Sequence, residues 1–269
     1  MNPEPQTWRF IDSGAHDGAF NMATDEVLAH RLPPNRPILR VYRWQPFTIS
    51  LGYHQKRAEV DVARCVRDGI GLVRRPTGGR AILHAQEVTY SVIVPESHPL
   101  FQSGTLESYN RISAALVAGL RKLGLPAELA RNQRGGPDAR EYAHRFACFA
   151  ASAKYEIMFR GKKLVGSAQR RFRDALLQHG SILLGPQHLR LVEYLTGSRN
   201  GGRERALDLL KSKTICVGDI LAREVHYTEV VADLREGFEN EFGVRLEHEP
   251  LTQQEIDLIK EVRRQYRTI

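Results

Sequence analysis

The sequence lacks the stretches that would place a chain in a membrane or send it out of the cell. No apolar run approaches the roughly 18–20 residues that a membrane helix needs. The opening MNPEPQTWRF has no basic region followed by an apolar stretch, so no secretory signal is expected. Cysteine is scarce: Cys65, Cys148 and Cys216 are the full set. An odd number with no C-x-x-C pair argues against a disulfide framework or a cysteine metal site and fits a reducing cytosol. Nucleotide signatures are missing as well. There is no G-x-x-x-x-G-K-[ST] loop, and the nearest approach to a dinucleotide fingerprint, Gly69-Ile-Gly71-Leu-Val-Arg74, has arginine in place of the third glycine. Neither G-x-S-x-G nor H-E-x-x-H occurs. Hydride transfer and metal-assisted hydrolysis are therefore disfavoured.

What is present reads as an ordinary globular protein. The 269 residues are 42% hydrophobic and 26% charged, enough for a full core. The formal net charge is +8. Its basic residues fall in pairs, such as Arg74-Arg75 and Arg170-Arg171, and not in a long run. That distribution argues against nucleic acid and suits an acidic protein partner at least as well.

Periodicity predicts a mixture of helices and strands. A helix is expected over Phe20–Leu32, with Asp25 and Glu26 near its start. Strands are expected over Ile38–Trp44, Phe47–Leu51, Gly71–Arg75, Ala81–His84 and Val88–Val94. In the last of these, Val88, Tyr90, Val92 and Val94 share one face. A helix is expected over Ala58–Arg67. Leu106, Tyr109, Ile112, Leu116, Leu120 and Leu123 mark another, amphipathic helix. Tyr155–Phe159 and Leu164–Ala168 flank an Arg160-Gly161 turn and predict a hairpin. Ser181–Leu184 is a further strand. From Gln187 onward the pattern is mostly helical, ending in Gln253–Arg267 with Ile256, Ile259 and Val262 as its apolar face. The reading is one α/β domain over 1–269, with a mixed or antiparallel sheet in a core of about 20–185 and a helical portion over about 187–269.

Four segments place polar or small residues among otherwise apolar strands. Each has an ordinary reading beside a functional one. Arg74-Arg-Pro-Thr-Gly-Gly-Arg80 is a glycine turn with solvated arginines, or a loop whose backbone approaches a ligand. Lys163 in Gly161-Lys-Lys-Leu-Val-Gly-Ser-Ala168 snorkels to a sheet edge, or faces a site. His179 in Gln178-His-Gly-Ser181 is a satisfied core histidine, or lines a pocket. Cys148 in Phe146-Ala-Cys-Phe149 is an inert buried thiol, or a nucleophile with small neighbours around it.

Together and in this order, the four segments resemble the lipoate–protein ligase A superfamily, and more closely its cysteine-bearing octanoyltransferase branch, the LipM type. The resemblance runs from about Asn21 to the C-terminal helix. It implies the biotin/lipoate protein ligase-like α/β fold, a mixed sheet flanked by helices. It also implies that Cys148 carries an acyl thioester and that Lys163 lies beside the thiol and lowers its pKa. Arg75, Gly78, Gly79 and His84 would line the acyl tunnel, with Gly166, Ser167 and His179 as further substrate-binding residues. The implied donor is octanoyl-acyl carrier protein, and the implied acceptor is a lipoyl domain or a glycine cleavage H protein. A cytoplasmic monomer with no cofactor and no metal would suffice, because a thioester donor is already activated. The family usually has aspartate directly after the motif histidine, where this chain has Ala85. It also often has Pro-Ser after the cysteine, where this chain has Ala150-Ala-Ser-Ala153. The rivals are an ATP-dependent lipoate ligase, an octanoyl amidotransferase acting between lipoyl domains, and a non-enzymatic binding protein on the same fold. The ligases typically carry a third glycine where Arg80 stands, and Asn-Asp where Tyr155-Glu156 stands.

Overall fold

A computed structural model of the chain describes residues 6–31, 34–131, 155–196 and 202–266. Among the described residues, eleven strands fall into two sheets. They are β1 (Gln6–His16), β2 (Ile38–Trp44), β3 (Thr48–Leu51), β4 (Gly71–Arg74), β5 (Ile82–His84), β6 (Glu87–Pro95), β7 (Glu128–Arg131), β8 (Tyr155–Phe159), β9 (Lys162–Arg171), β10 (Ala175–Leu183) and β11 (Val244–His248). The large sheet runs β11-β1-β2-β6-β10-β9-β8-β7 and the small one β4-β3-β5. The large sheet is mixed. β1 pairs parallel with both β11 and β2, and every junction from β2 to β7 is antiparallel.

Helices cover both faces. They are α1 (Gly18–Glu26, continued by a π-turn over Val27–Arg31), α2 (Val62–Arg67), α3 (Pro99–Gln102), α4 (Thr105–Lys122), α5 (Gly202–Lys213), α6 (Val217–Leu221), α7 (Tyr227–Phe242) and α8 (Gln253–Tyr266). None of the described helices is long and apolar enough to cross a membrane. One face of the large sheet carries the main core, where Val88, Tyr90, Val92 and Val94 of β6 meet Ile112, Leu116 and Leu120 of α4 and Leu234 and Phe238 of α7. The two helices approach closely at Gly119 and Gly237. A Cβ on Gly237 would lie 2.3 Å from the Gly119 nitrogen, so any larger residue would force the helices apart.

The opposite face is also buried, yet it is polar. Register sets Tyr42, Thr89, Ser181 and Gly166 in one row across β2, β6, β10 and β9, and Arg40, Ser91, His179 and Ala168 in the next. The small sheet and α1 pack over this face. Every residue of β6 is buried, so its hydroxyls face a second protein layer and not water.

Several sequence expectations shift. The first helix starts at Gly18, with the Asp17 carboxylate accepting from the Phe20 N–H at 2.8 Å, so Asp25 and Glu26 sit at its end and not its start. Leu106 is 44% exposed and lies off the buried face of α4, where Ser108 takes its place. Strands β1 and β11 went unanticipated, and β11 interrupts the C-terminal run expected to be mostly helical. β10 begins at Ala175, earlier than expected. On α8, Ile259 and Val262 are buried as expected, with Glu255 between α8 and β1. Glu255 takes a two-pronged bond from Arg9, at 2.6 and 2.9 Å. The hairpin turn is as expected, with positive φ at both Arg160 and Gly161.

Candidate functional site

Between the polar face of the large sheet and the small sheet lies a partly open pocket that, together with the solvent space at its mouth, spans about 390 Å³. Arg75, His84, Gly166, Ser167 and His179, all expected from sequence, line it. Met22, Tyr42, Trp44, Ser50 and Ile82 complete much of the wall. Gly166 and Ala168 leave room where larger side chains on β9 would fill the space, opposite Ser181 and His179.

Two hydrogen-bonded chains fix the polar residues. The first centres on Asp25, which is fully buried. Its Oδ1 accepts from Arg40 Nη1 at 2.7 Å and Ser91 Oγ at 2.9 Å, and its Oδ2 from Tyr42 OH at 3.0 Å and His179 Nδ1 at 3.1 Å. Burial works against the charge, but the Arg40 guanidinium and the His179 ring hold the Asp25 carboxyl below the usual carboxylate range. An ionised carboxylate is acceptor-only, so His179 Nδ1 carries the hydrogen and Nε2 accepts from Thr77 Oγ1 at 2.6 Å. Burial holds the His179 pKa below its ordinary value, which suits this neutral form.

The second chain centres on Glu87. Its Oε1 accepts from His84 Nδ1 at 2.7 Å, Thr89 Oγ1 at 2.6 Å and Ser181 Oγ at 2.8 Å. The Thr89 hydroxyl in turn accepts from Trp44 Nε1 at 2.7 Å. Burial opposes ionisation here too, yet His84 and the two hydroxyls bring the Glu87 pKa below normal. The His84 ring stacks on Trp44, with centroids 4.0 Å apart and planes 11° from parallel. Its Nε2 meets Ser50 Oγ at 2.8 Å. Glu87 thus supplies the orienting carboxylate that Ala85 cannot. Because the polar atoms of the wall are bonded to one another, much of what they turn toward the pocket is carbon. Such a lining suits an aliphatic chain better than a polar ligand.

Among the described residues, Arg75 makes five hydrogen bonds. They run to Ser50 O and Oγ, twice to Gly78 O, and to Arg80 O, at 2.8–3.2 Å. Arg75 therefore knots the 76–80 loop while its side chain borders the pocket. Gly78 and Gly79 are not part of the pocket wall. Gly79 instead packs against Gly52, where a Cβ would lie 1.8 Å from the Gly79 oxygen. Arg75→Lys leaves three donors for these acceptors and should cost about 2–4 kcal/mol. Urea unfolding would show it, with faster proteolysis of the 76–80 loop. An unchanged midpoint would mean that the five bonds are replaceable.

Lys163 sits on β9, three residues before Gly166, and is not part of the pocket wall. Its ammonium donates to Glu156 Oε1 at 2.6 Å, and both residues are buried, at most 5% exposed. Cys148 lies outside the described residues. Burial pushes the thiols of Cys65 and Cys216 up to about 11. Sequence reasoning missed Asp25, Ser50, Thr77 and Glu87. The signal available for Glu87 and its neighbours was the polar alternation Glu87, Thr89, Ser91 inside a strand whose other positions up to Val94 are valine, isoleucine and tyrosine. Among the described residues, no group of three or more His, Cys, Asp or Glu is placed to hold a metal ion.

The description "Lipoyl protein ligase A/B catalytic domain" matches residues 17–239. Proteins called octanoyltransferase LipM from Kyrpidia tusciae and Moorella thermoacetica are each 42% identical to the chain over 264 residues, covering 97% of it and 96% of the relative. A solved bi-partite lipoate protein ligase from Thermoplasma acidophilum shares the fold, with a TM-score of 0.75 at 24% identity over 97% of this chain and 92% of that one. The chain belongs to the lipoyl protein ligase A/B catalytic-domain family and, within it, to the LipM type of octanoyltransferase.

Proposed function

We propose that the whole chain, as a single catalytic unit, moves an octanoyl group from an acyl carrier protein to the lysine of a lipoyl-accepting protein through a thioester on Cys148. The observation that carries this reading is the near full-length likeness to octanoyltransferases named LipM. It is supported by the thiols themselves: Cys65 and Cys216 are buried with raised pKa values, which leaves Cys148 as the thiol for the chemistry. Exchange of one thioester for another is close to neutral in free energy, and the final amide makes the second step downhill, so no nucleotide is required. In this reading the octanoyl chain occupies the pocket beside Gly166 and Ala168. Lys163, held by Glu156, supplies a positive charge near the thiolate and the tetrahedral oxyanion. The net charge of +8 suits an acidic carrier protein.

Two local features weigh against an ATP-dependent ligase. Arg80 stands where those enzymes typically carry glycine, and it is paired to Glu59 at 2.8 Å. Glu156, at the place of their Asn-Asp, is bonded to Lys163. Octanoyl carrier protein mixed with the chain and a lipoyl domain, without ATP or Mg²⁺, should therefore yield an octanoylated lipoyl domain by mass spectrometry. Strict dependence on ATP, with free octanoate or lipoate as donor, would overturn the transferase reading in favour of the ligase.

A further inference from the structure

The lining of the pocket shows where it opens. Most of its residues are buried, and only Ser167, Ala168 and Gly180 are partly exposed, so the opening lies at their end. β9 continues past Ala168, and two residues on, with its side chain on the same face, stands Arg170. Its Nη1 donates to Pro76 O at 2.8 Å, next to Arg75, which sets the guanidinium beside the opening. A second segment is tied to the same loop. The Tyr53 N–H donates to Thr77 O at 2.9 Å, and Arg74 Nη1 donates to the carbonyls of Gly52, Tyr53 and Gln55. The Arg170 guanidinium lies over the Tyr53 ring, 4.9 Å from its centroid.

Charge gathers at this rim. Lys56 and Arg57 are exposed, and among the described residues neither side chain joins an ion pair. The acidic neighbours are occupied: Glu59 pairs with Arg80 at 2.8 Å, and Asp174 lies 3.8 Å from Arg173. Residues 53–59, 74–80 and 169–174 hold eight lysines and arginines against two acidic residues, whereas the whole chain holds 39 against 31. Most of the net charge of +8 therefore belongs to the segments around the opening. Among them Tyr53 leaves an aromatic ring 48% exposed.

We propose that Tyr53, Lys56, Arg57 and Arg170 form the surface on which the acidic carrier protein docks to deliver its acyl chain. The proposal rests on the acyl-transfer reading above. The donor is the partner that must pass an aliphatic chain through this opening, so the surface around the opening serves the donor and not the acceptor. Complementary charge steers an acidic partner into place and raises its rate of encounter. An exposed tyrosine beside an arginine is the composition found at the centre of protein interfaces. Nucleic acid would meet the same charge, but nothing in it would fill an aliphatic pocket.

The test reverses two charges that lie outside the pocket wall. At low salt, Lys56→Glu with Arg57→Glu should raise the KM for octanoyl carrier protein about 10-fold or more, with kcat held within about 2-fold. Added salt should bring the wild type toward the variant, because the charge it screens is the charge already removed. Lys56→Gln with Arg57→Gln should move KM the same way by a smaller factor. Arg245→Glu with Lys122→Glu makes the same change in net charge on the far edge strand β11 and on α4, and should leave KM within about 2-fold. A KM that does not move, an equal rise in the distant variant, or a loss confined to kcat would overturn the proposal. So would a rise in the KM for the lipoyl domain with that for the carrier unchanged, which would give the surface to the acceptor. Failure of the wild-type chain to transfer octanoyl from the carrier protein without ATP would overturn the acyl-transfer reading, and the docking surface with it.

Discussion

Cys148→Ala should take up no octanoyl group from the carrier protein, while Cys65→Ala and Cys216→Ala should each still gain one. Intact-protein mass spectrometry before acceptor is added reads this directly, and hydroxylamine should remove the added mass. The expectation follows from where the other thiols lie. Cys65 packs among Ile49, Val60 and Ile70, and Cys216 is buried at the start of α6. With pKa values of about 11, roughly one molecule in 10⁴ carries either as a thiolate at pH 7. Neither can take over when Cys148 is removed. Turnover should fall on the order of 10⁴-fold or more, as it does when a covalent nucleophile is deleted elsewhere. Acylation that persists in Cys148→Ala would place the nucleophile on another residue.

Asp25→Ala should be among the most destabilising single changes in the described part of the chain. Arg40 and Asp25 are both fully buried, and Arg40 also bonds Ser13 Oγ, Asn21 O and Asn21 Oδ1. Removing the carboxylate strands a buried guanidinium, which typically costs about 3–5 kcal/mol. It also frees Tyr42, Ser91 and His179 from their acceptor and so unpins the Thr77 loop. Asp25→Leu combined with Arg40→Met should lose less than the sum of the two single changes, because no unpaired charge remains. Strict additivity would mean that the pair is not coupled as the geometry implies. The same network sets a pH trend. His179 binds its proton less readily folded than unfolded, so the unfolded chain holds more protons below about pH 6.5, and stability falls as pH drops through that range. His16, His98 and His188 act in the same direction. Asp25 adds to the loss below about pH 4, where its unfolded form is protonated and its folded form resists. A midpoint of unfolding unchanged between pH 7.5 and 5 would contradict the buried neutral histidines.

Much of the architecture was legible because its strands and helices have strong periods. The β6 alternation and the Arg160-Gly161 turn placed β6, β8 and β9 correctly, and the family resemblance pointed to five residues that line the pocket. What escaped was of another kind. β1 carries Arg9, Asp12, Ser13 and Gly14 within its span, and β11 has only Val244 and Leu246 to mark it, so neither has a run of apolar residues long enough to announce a strand. Asp25 looks like any acidic residue on a helix, since its four donors come from β2, β6 and β10, 15 to 154 positions away. Glu87 reads as a charged residue beginning a strand until the fold turns its face away from water. Motif spacing could place His84 but not the carboxylate behind it. Ala85 removes the adjacent one, and a replacement three residues on shows only once β5 and β6 are folded against each other.

The order in which the chain leaves the ribosome gives α8 a part that neither the pocket nor the sheets suggest. Ala23 and Val27, on the helix that carries Asp25, are covered by Ile259 and Val262. The outer edge strand β11 and the Arg9–Glu255 bond also wait for the same late stretch. During synthesis the site-bearing helix is thus made long before the stretch that seals it. Until some 230 further residues have followed it, its apolar flank stays open to chaperones and proteases, so burial of the catalytic layer waits for α8.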